Sequence, residues 1–162
     1  MAGPRPGFWK PFLIAFLVAQ AFGGLGAIAT DLGPWYASLN KPWWQPPDYL
    51  FGPAWATIFT LAAASAVFAW RNAPSKESRE AIVLLFATNA LFNLLWSLLF
   101  FRLKRPDWAL IEVGALWASV FIPILVVSRY SKKAAWLLVP YVAWVTFAGI
   151  LNYTIVQLNP AP

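Results

Sequence analysis

Five apolar stretches, at residues 12–29, 52–70, 81–101, 107–128 and 134–157, constrain this chain more than any other feature. Each approaches the roughly 20 residues that a helix needs, at about 1.5 Å per residue, to cross the hydrocarbon core of a bilayer. In hydrocarbon, backbone amides and carbonyls must be satisfied inside their own segment, which a helix does and an open strand does not. The breaks after the second, third and fourth stretches are short, and short breaks favour antiparallel neighbours. The expected fold is therefore an all-α membrane protein: an up-down bundle of five transmembrane helices, forming one domain over residues 1–162. Composition agrees. Only 11% of residues are charged and 60% are hydrophobic, whereas soluble domains carry about 25% charge.

The net charge of +6 has a topological meaning. Basic residues fall in the breaks between apolar stretches, with eight on the side of the N-terminus and four on the other. That bias predicts an integral multi-pass protein with a cytoplasmic N-terminus. No basic stripe runs over a polar surface, so nucleic acid is not an expected partner; membrane lipid is. The basic start MAGPRPGFWKPF followed by an apolar run also has a signal peptide as a rival reading. Against it stand the lack of a clear A-x-A site and the membrane-like character of everything downstream.

The break between the first two stretches is different in kind. Residues 30–51 and the start of the following helix read TDLGPWYASLNKPWWQPPDYLFGPAW, with Trp35, Tyr36, Trp43, Trp44, Tyr49 and Trp55 set among Pro34, Pro42, Pro46, Pro47 and Pro53. Prolines remove amide donors and bias the preceding residue to extended geometry, so no long helix runs through this segment. It is too aromatic for a solvated linker. A proline-stiffened, tryptophan-rich loop between membrane helices is expected to act as a lid at the bilayer interface.

The helices carry readable faces. Ala15, Ala19, Gly23 and Gly26 or Ala27 form a small-residue stripe on the first, suited to packing within the bundle or to a dimer face. Asn89, Asn93 and Trp96 share a face of the third helix, as do Trp144, Ala148 and Asn152 on the fifth, bordered by Tyr141. Amides do not point at lipid, so they face the bundle interior or a cavity. Asn89 and Asn93 serve either as glue between helices or as ligand contacts. Glu112 on the fourth helix is expected to snorkel or to pair with a lysine, with a proton or ion site as the alternative. Trp9, Trp70, Trp108, Trp117 and Trp136 suit interfacial anchoring.

Taken together, the lid with Trp35, Trp43 and Trp44, the amide faces and Trp55 describe an apolar chamber walled by flat rings and provided with a few amides. Such a chamber suits a large planar hydrophobic ligand such as a porphyrin, a sterol or a flat heteroaromatic. The chain has no cysteine or histidine and its only methionine is Met1. Thiolate and ordinary zinc sites, and Ser-His or cysteine nucleophiles, are thereby excluded. Haem could find an ordinary axial ligand only in tyrosine, so binding should depend on the ring rather than on the iron. No cofactor is required; porphyrin or haem enters as ligand. The pocket offers no ordinary general acid or base. A channel or secondary transporter is disfavoured by the odd number of helices and by the single mid-membrane candidate charge, Glu112.

The motifs WYASLNKPWWQPP, GPAW, FATNALFNLLWSLLFF and LLVPYVAWVTFAGILNY resemble those of the translocator protein / tryptophan-rich sensory protein family (TspO/MBR, formerly the peripheral benzodiazepine receptor family), over residues 12–158. The resemblance implies a five-helix bundle, commonly a homodimer. It also implies binding of porphyrins and haem, of sterols such as cholesterol, and of isoquinoline or benzodiazepine ligands, in a sensor, carrier or regulator of tetrapyrroles. By motif, Trp55 and Trp144 match tryptophans tied in some bacterial relatives to light-dependent porphyrin breakdown, which would make them photochemical residues of an enzyme. Asn93, Trp96 and Ala148 match ligand-pocket positions, and Trp43 and Pro46 match the lid. The family's cholesterol motif needs a basic residue after the tyrosine; Leu151 and Tyr153 are present, but residues 154–162 contain no lysine or arginine. Few charges and no mitochondrial-type extension suggest a bacterial membrane.

Overall fold

The computed structural model describes residues 7–160; Arg5, counted in the charge bias above, lies outside them. Five helices are long and apolar enough to cross a membrane: α1 (Trp9–Ala29), α3 (Phe51–Asn72), α4 (Lys76–Ser97), α5 (Pro106–Ser128) and α6 (Lys132–Leu158), with a short α2 (Pro34–Ser38) inside the lid. No strand occurs among the described residues. The bundle closes as a ring: α1 packs on α3, α3 on α6, α6 on α5, α5 on α4, and α4 back on α1.

The helix ends follow local chemistry. Ser75 and Ser131 cap α4 and α6 by accepting from the Ser78 and Ala134 amides at 3.2 and 3.1 Å, which satisfies amides left without intrahelical partners. Pro34 and Pro106 stand in the first turns of α2 and α5, where a missing donor costs nothing. Pro106 therefore opens α5 rather than only ending the helix before it. α4 runs on as a π-helical turn at Leu98–Arg102, with the Leu103 amide bonding the Leu98 carbonyl at 2.9 Å. The helices exceed their expected limits by up to five residues. α1 starts at Trp9 rather than at 12, and α4 at Lys76 rather than at 81, because polar first-turn residues are compatible with helix outside the hydrocarbon.

The two ends of the bundle are packed differently. At the end away from the lid, Ile58, Ala62, Ala69, Ala73, Ile82, Leu116, Val120, Val127, Ala134 and Leu138 form a continuous core. Ala69, Ala134 and Ser65 are completely buried, and the Ser65 hydroxyl donates to the Ala134 carbonyl at 2.8 Å, joining α3 to α6. Small side chains let these backbones approach closely. At the lid end the core is a smaller cluster of Tyr36, Phe100, Phe101, Ala109, Leu151 and Ile155.

Glu112 departs from expectation. It is 8% exposed, and neither carboxylate oxygen has a hydrogen-bond partner. It does not snorkel, because α5 is wedged between α4 and α6 and position 112 faces inward.

Candidate functional site

The lid is a built structure. Its prolines exclude a long helix, but α2 fits one turn and a half ahead of Pro42. The Gln45 amide bonds the Pro42 carbonyl at 3.0 Å, closing a turn in which neighbouring side chains diverge. Trp44 turns inward, its ring 6.0 Å from Phe147, whereas Trp43 is 95% exposed. A 3₁₀ turn at Asp48–Leu50 leads into α3.

Three sets of contacts fasten the lid to the bundle. The rings of Trp35 and Tyr36 lie 6.1 and 5.6 Å from Phe100 and Phe101. The Tyr36 hydroxyl donates to Asp48 Oδ1 at 2.8 Å, and Gln45 Nε2 donates to both at 3.1 Å. Asn40 and Asn159 exchange backbone–amide bonds at 2.9 Å in both directions, tying the lid to the end of α6. Burial of Tyr36, then its hydrogen bond to Asp48 and the Asp48 charge, push the phenol well above its ordinary value, so it stays a donor.

Beneath the lid lies a cavity of about 640 Å³, within the range of about 300–1,000 Å³ usual for small-molecule sites. Of the predicted residues, Trp55, Asn93, Trp96, Trp144, Ala148 and Asn152 line it. The two predicted tryptophans of α3 and α6 meet edge to face, Trp55 and Trp144 at 6.4 Å and 88°. Asn152 is consumed in orienting its neighbours: Oδ1 accepts from Trp96 Nε1 at 3.2 Å, and Nδ2 donates to the Pro106 carbonyl at 2.9 Å. Asn93 donates to the Tyr141 hydroxyl at 3.3 Å.

Trp35, Trp43, Pro46, Asn89 and Tyr141 are not among the cavity-lining residues. Asn89 donates to Ser119 on α5 at 3.0 Å, the role of glue between helices. Tyr141 is buried behind the wall, its ring 6.0 Å from Trp55. Trp35 and Pro46 are half-buried parts of the lid itself.

Other lining residues were not singled out from the sequence. The adjacent Phe100 and Phe101, on the π turn that ends α4, both line the wall. Gln20 on α1 donates to the Ala56 carbonyl and to Thr60, each at 3.1 Å, and so links α1 to α3 beside the cavity. Gly23 permits that contact: a Cβ there would stand 2.8 Å from the Phe59 ring. Tyr36, Gln45 and Asp48 complete the lid side. No group of three or more His, Cys, Asp or Glu that could hold a metal ion occurs among the described residues.

A sequence profile described as TspO/MBR family matches residues 13–158. The chain belongs to the TspO/MBR family. Among its curated relatives are a "Tryptophan-rich protein TspO" of Chlorobaculum tepidum, 37% identical, with 91% of this chain and 93% of that protein covered. "Protein CrtK" of Rhodobacter capsulatus is 36% identical over 92% of both chains, and the "Translocator protein" of Bos taurus is 35% identical over 93% of this chain and 91% of its own. This TspO/MBR protein is thus an integral multi-pass membrane protein, with a roofed aromatic chamber at one end of its bundle.

Proposed function

We infer that the chamber binds porphyrins or haem and that the protein acts as a tetrapyrrole sensor, carrier or regulator. The observation that supports this most is the pairing of Trp55 and Trp144, edge to face, on the wall of a lidded 640 Å³ cavity. Ring faces stack on a flat guest, and the lid covers one end of the cavity. Sterols and benzodiazepine- or isoquinoline-type compounds are further guests for the same walls. The working form is a homodimer of one-domain chains in a bacterial membrane, the N-terminus in the cytoplasm.

Titration of the purified protein with protoporphyrin tests the binding. Tryptophan fluorescence is expected to quench saturably and less so in Trp144→Phe, and quenching no greater than in an unrelated membrane protein refutes the reading. Free-base porphyrin and haem should bind with similar affinity, since no histidine, cysteine or internal methionine is present to reward the iron.

The proximity of Trp55 and Trp144 to any guest also favours a second reading, a light-dependent porphyrin-degrading enzyme. Turnover should then require light and oxygen. Product formed in the dark, or turnover untouched by Trp55→Phe combined with Trp144→Phe, counts against it.

A further inference from the structure

Charge is spread unevenly over the two ends of the bundle. At the lid end, residues 31–48 and 102–107 hold four cations and three acids. Three of those cations are turned to internal use: Arg105 on Asp107, Arg102 on the Ile28 carbonyl, and Lys41 over the Tyr36 ring. At the opposite end, residue 10 with residues 71–80 and 129–133 holds seven cations and two acids. Glu80 pairs with Lys76 at 3.5 Å. Among the described residues, Lys10, Arg79, Arg129, Lys132 and Lys133 form no ion pair.

Three cations of this end are laid on rings. Lys133 Nζ, from α6, lies 4.4 Å over Phe68 of α3, and the Arg71 guanidinium, from α3, lies 5.8 Å from the Phe8 ring. Phe8 and Phe68 touch, with ring centres 4.8 Å apart. Two cations from different helices thus stand over one pair of rings, where α3 packs between α1 and α6. Arg79 of α4 lies 4.9 Å over Trp70. A ring face attracts a cation through its quadrupole and does not consume its in-line N–H donors, so Lys133 and Arg79 keep donors for an anion.

The rings continue from there into the hydrocarbon. Phe8, Phe12 and Phe16 follow one another along α1 at 5.3 and 6.0 Å, with Leu13 and Leu17 exposed alongside. The exposed Trp9 and Trp136 put this end at headgroup height. Cations above an apolar track match a molecule with a phosphate diester on top and acyl chains below. Free phosphate matches the cations and leaves the track empty.

We propose that this corner is a binding site for an acidic phospholipid. Lys133 and Arg71 meet the headgroup phosphate, the acyl chains run along Phe12 and Phe16, and Arg79 on Trp70 is a secondary contact. A lipid held there bridges α1, α3 and α6 at the solid end, and so stabilises the bundle by mass action whatever the chamber binds.

The protein in neutral detergent is titrated with phosphatidylglycerol, with phosphatidylcholine of the same chains, and with inorganic phosphate. Thermal unfolding gives Tm, and native mass spectrometry gives the lipid retained. Phosphatidylglycerol should raise Tm saturably and remain bound; phosphatidylcholine and phosphate should do neither. Arg71→Gln with Lys133→Gln should weaken retention at least about tenfold, and Arg79→Gln should weaken it less. Lys41→Gln with Lys104→Gln removes the same charge at the lid end and should leave retention unchanged. Lys133→Gln alone alters one exposed side chain and carries the test if the double variant does not fold. Equal retention of phosphatidylcholine, an equal loss in the lid-end pair, or retention unmoved in Lys133→Gln overturns the site. A Tm rise with phosphate equal to that with phosphatidylglycerol overturns it as a lipid site.

Discussion

The two ends of the bundle are built from the same five helices and solve opposite problems. Away from the lid, Ala62, Ala69, Ala73 and Ala134 bring α3 and α6 so close that the space between them is filled, and a buried serine bonds across it. At the lid end the same two helices present Trp55, Phe59, Trp144 and Phe147. Rings of that size hold the backbones apart and enclose a void. Small residues make a membrane bundle solid; large flat ones, propped by amide bonds and roofed by a stiff loop, keep it hollow. The solid end bears the stability, and the hollow end is free to bind.

That division can be broken most severely at the solid end. Ala134 is wholly buried, and overfilling such a site costs about 3 kcal/mol. Ala134→Leu should therefore lower Tm by on the order of 6–12 °C for a chain of this length, read by thermal unfolding in detergent. At the hollow end the same enlargement should behave differently. Ala148→Phe fills free volume, so Tm should stay within about 3 °C of wild type while porphyrin affinity falls about tenfold or more, a loss of about 1.4 kcal/mol. A large drop in Tm there would show that the void is smaller than the geometry indicates.

A third test removes the struts. Asn152→Leu leaves Trp96 Nε1 and the Pro106 carbonyl without their partner, and stranded buried polar groups cost about 1–3 kcal/mol each. Stability and affinity should fall together, because the strut belongs to both the wall and the fold.

The smallest effect concerns the lid. Tyr36→Phe deletes the donor to Asp48, worth about 1 kcal/mol, and should speed porphyrin release several-fold in stopped-flow measurements with little change in Tm. The same bond gives a pH dependence with a definite sign. Because burial and Asp48 raise the Tyr36 pKa above its unfolded value of about 10, its contribution is fully present below about pH 10. It is lost as pH rises beyond that, since the unfolded phenol ionises first. Porphyrin release should accelerate at alkaline pH in the wild type and not in Tyr36→Phe.

Several features were legible before any coordinates. The apolar lengths determined the five helices, because hydrocarbon admits no other way of pairing the backbone. The spacing of Asn93 with Trp96, and of Trp144 with Ala148 and Asn152, determined which faces turn inward, because helical period and the cost of lipid-exposed amides act locally. Trp55 was legible because it opens the helix that follows the lid.

What the sequence left open depended on which partner each face would meet. Asn89 and Asn93 lie one turn apart on one helix, yet α5 offers Ser119 to the first and α6 offers Tyr141 to the second, so only Asn93 reaches the cavity. Trp43 and Trp44 are adjacent and chemically identical, and the direction of one turn sends the first outward and the second in. Phe100 and Phe101 share the wall on the π turn that ends α4. Composition and period thus determined what this chain is made of and which sides are apolar. The docking of helix on helix decided where the space remained, because a void belongs to several segments at once and is encoded in none of them alone.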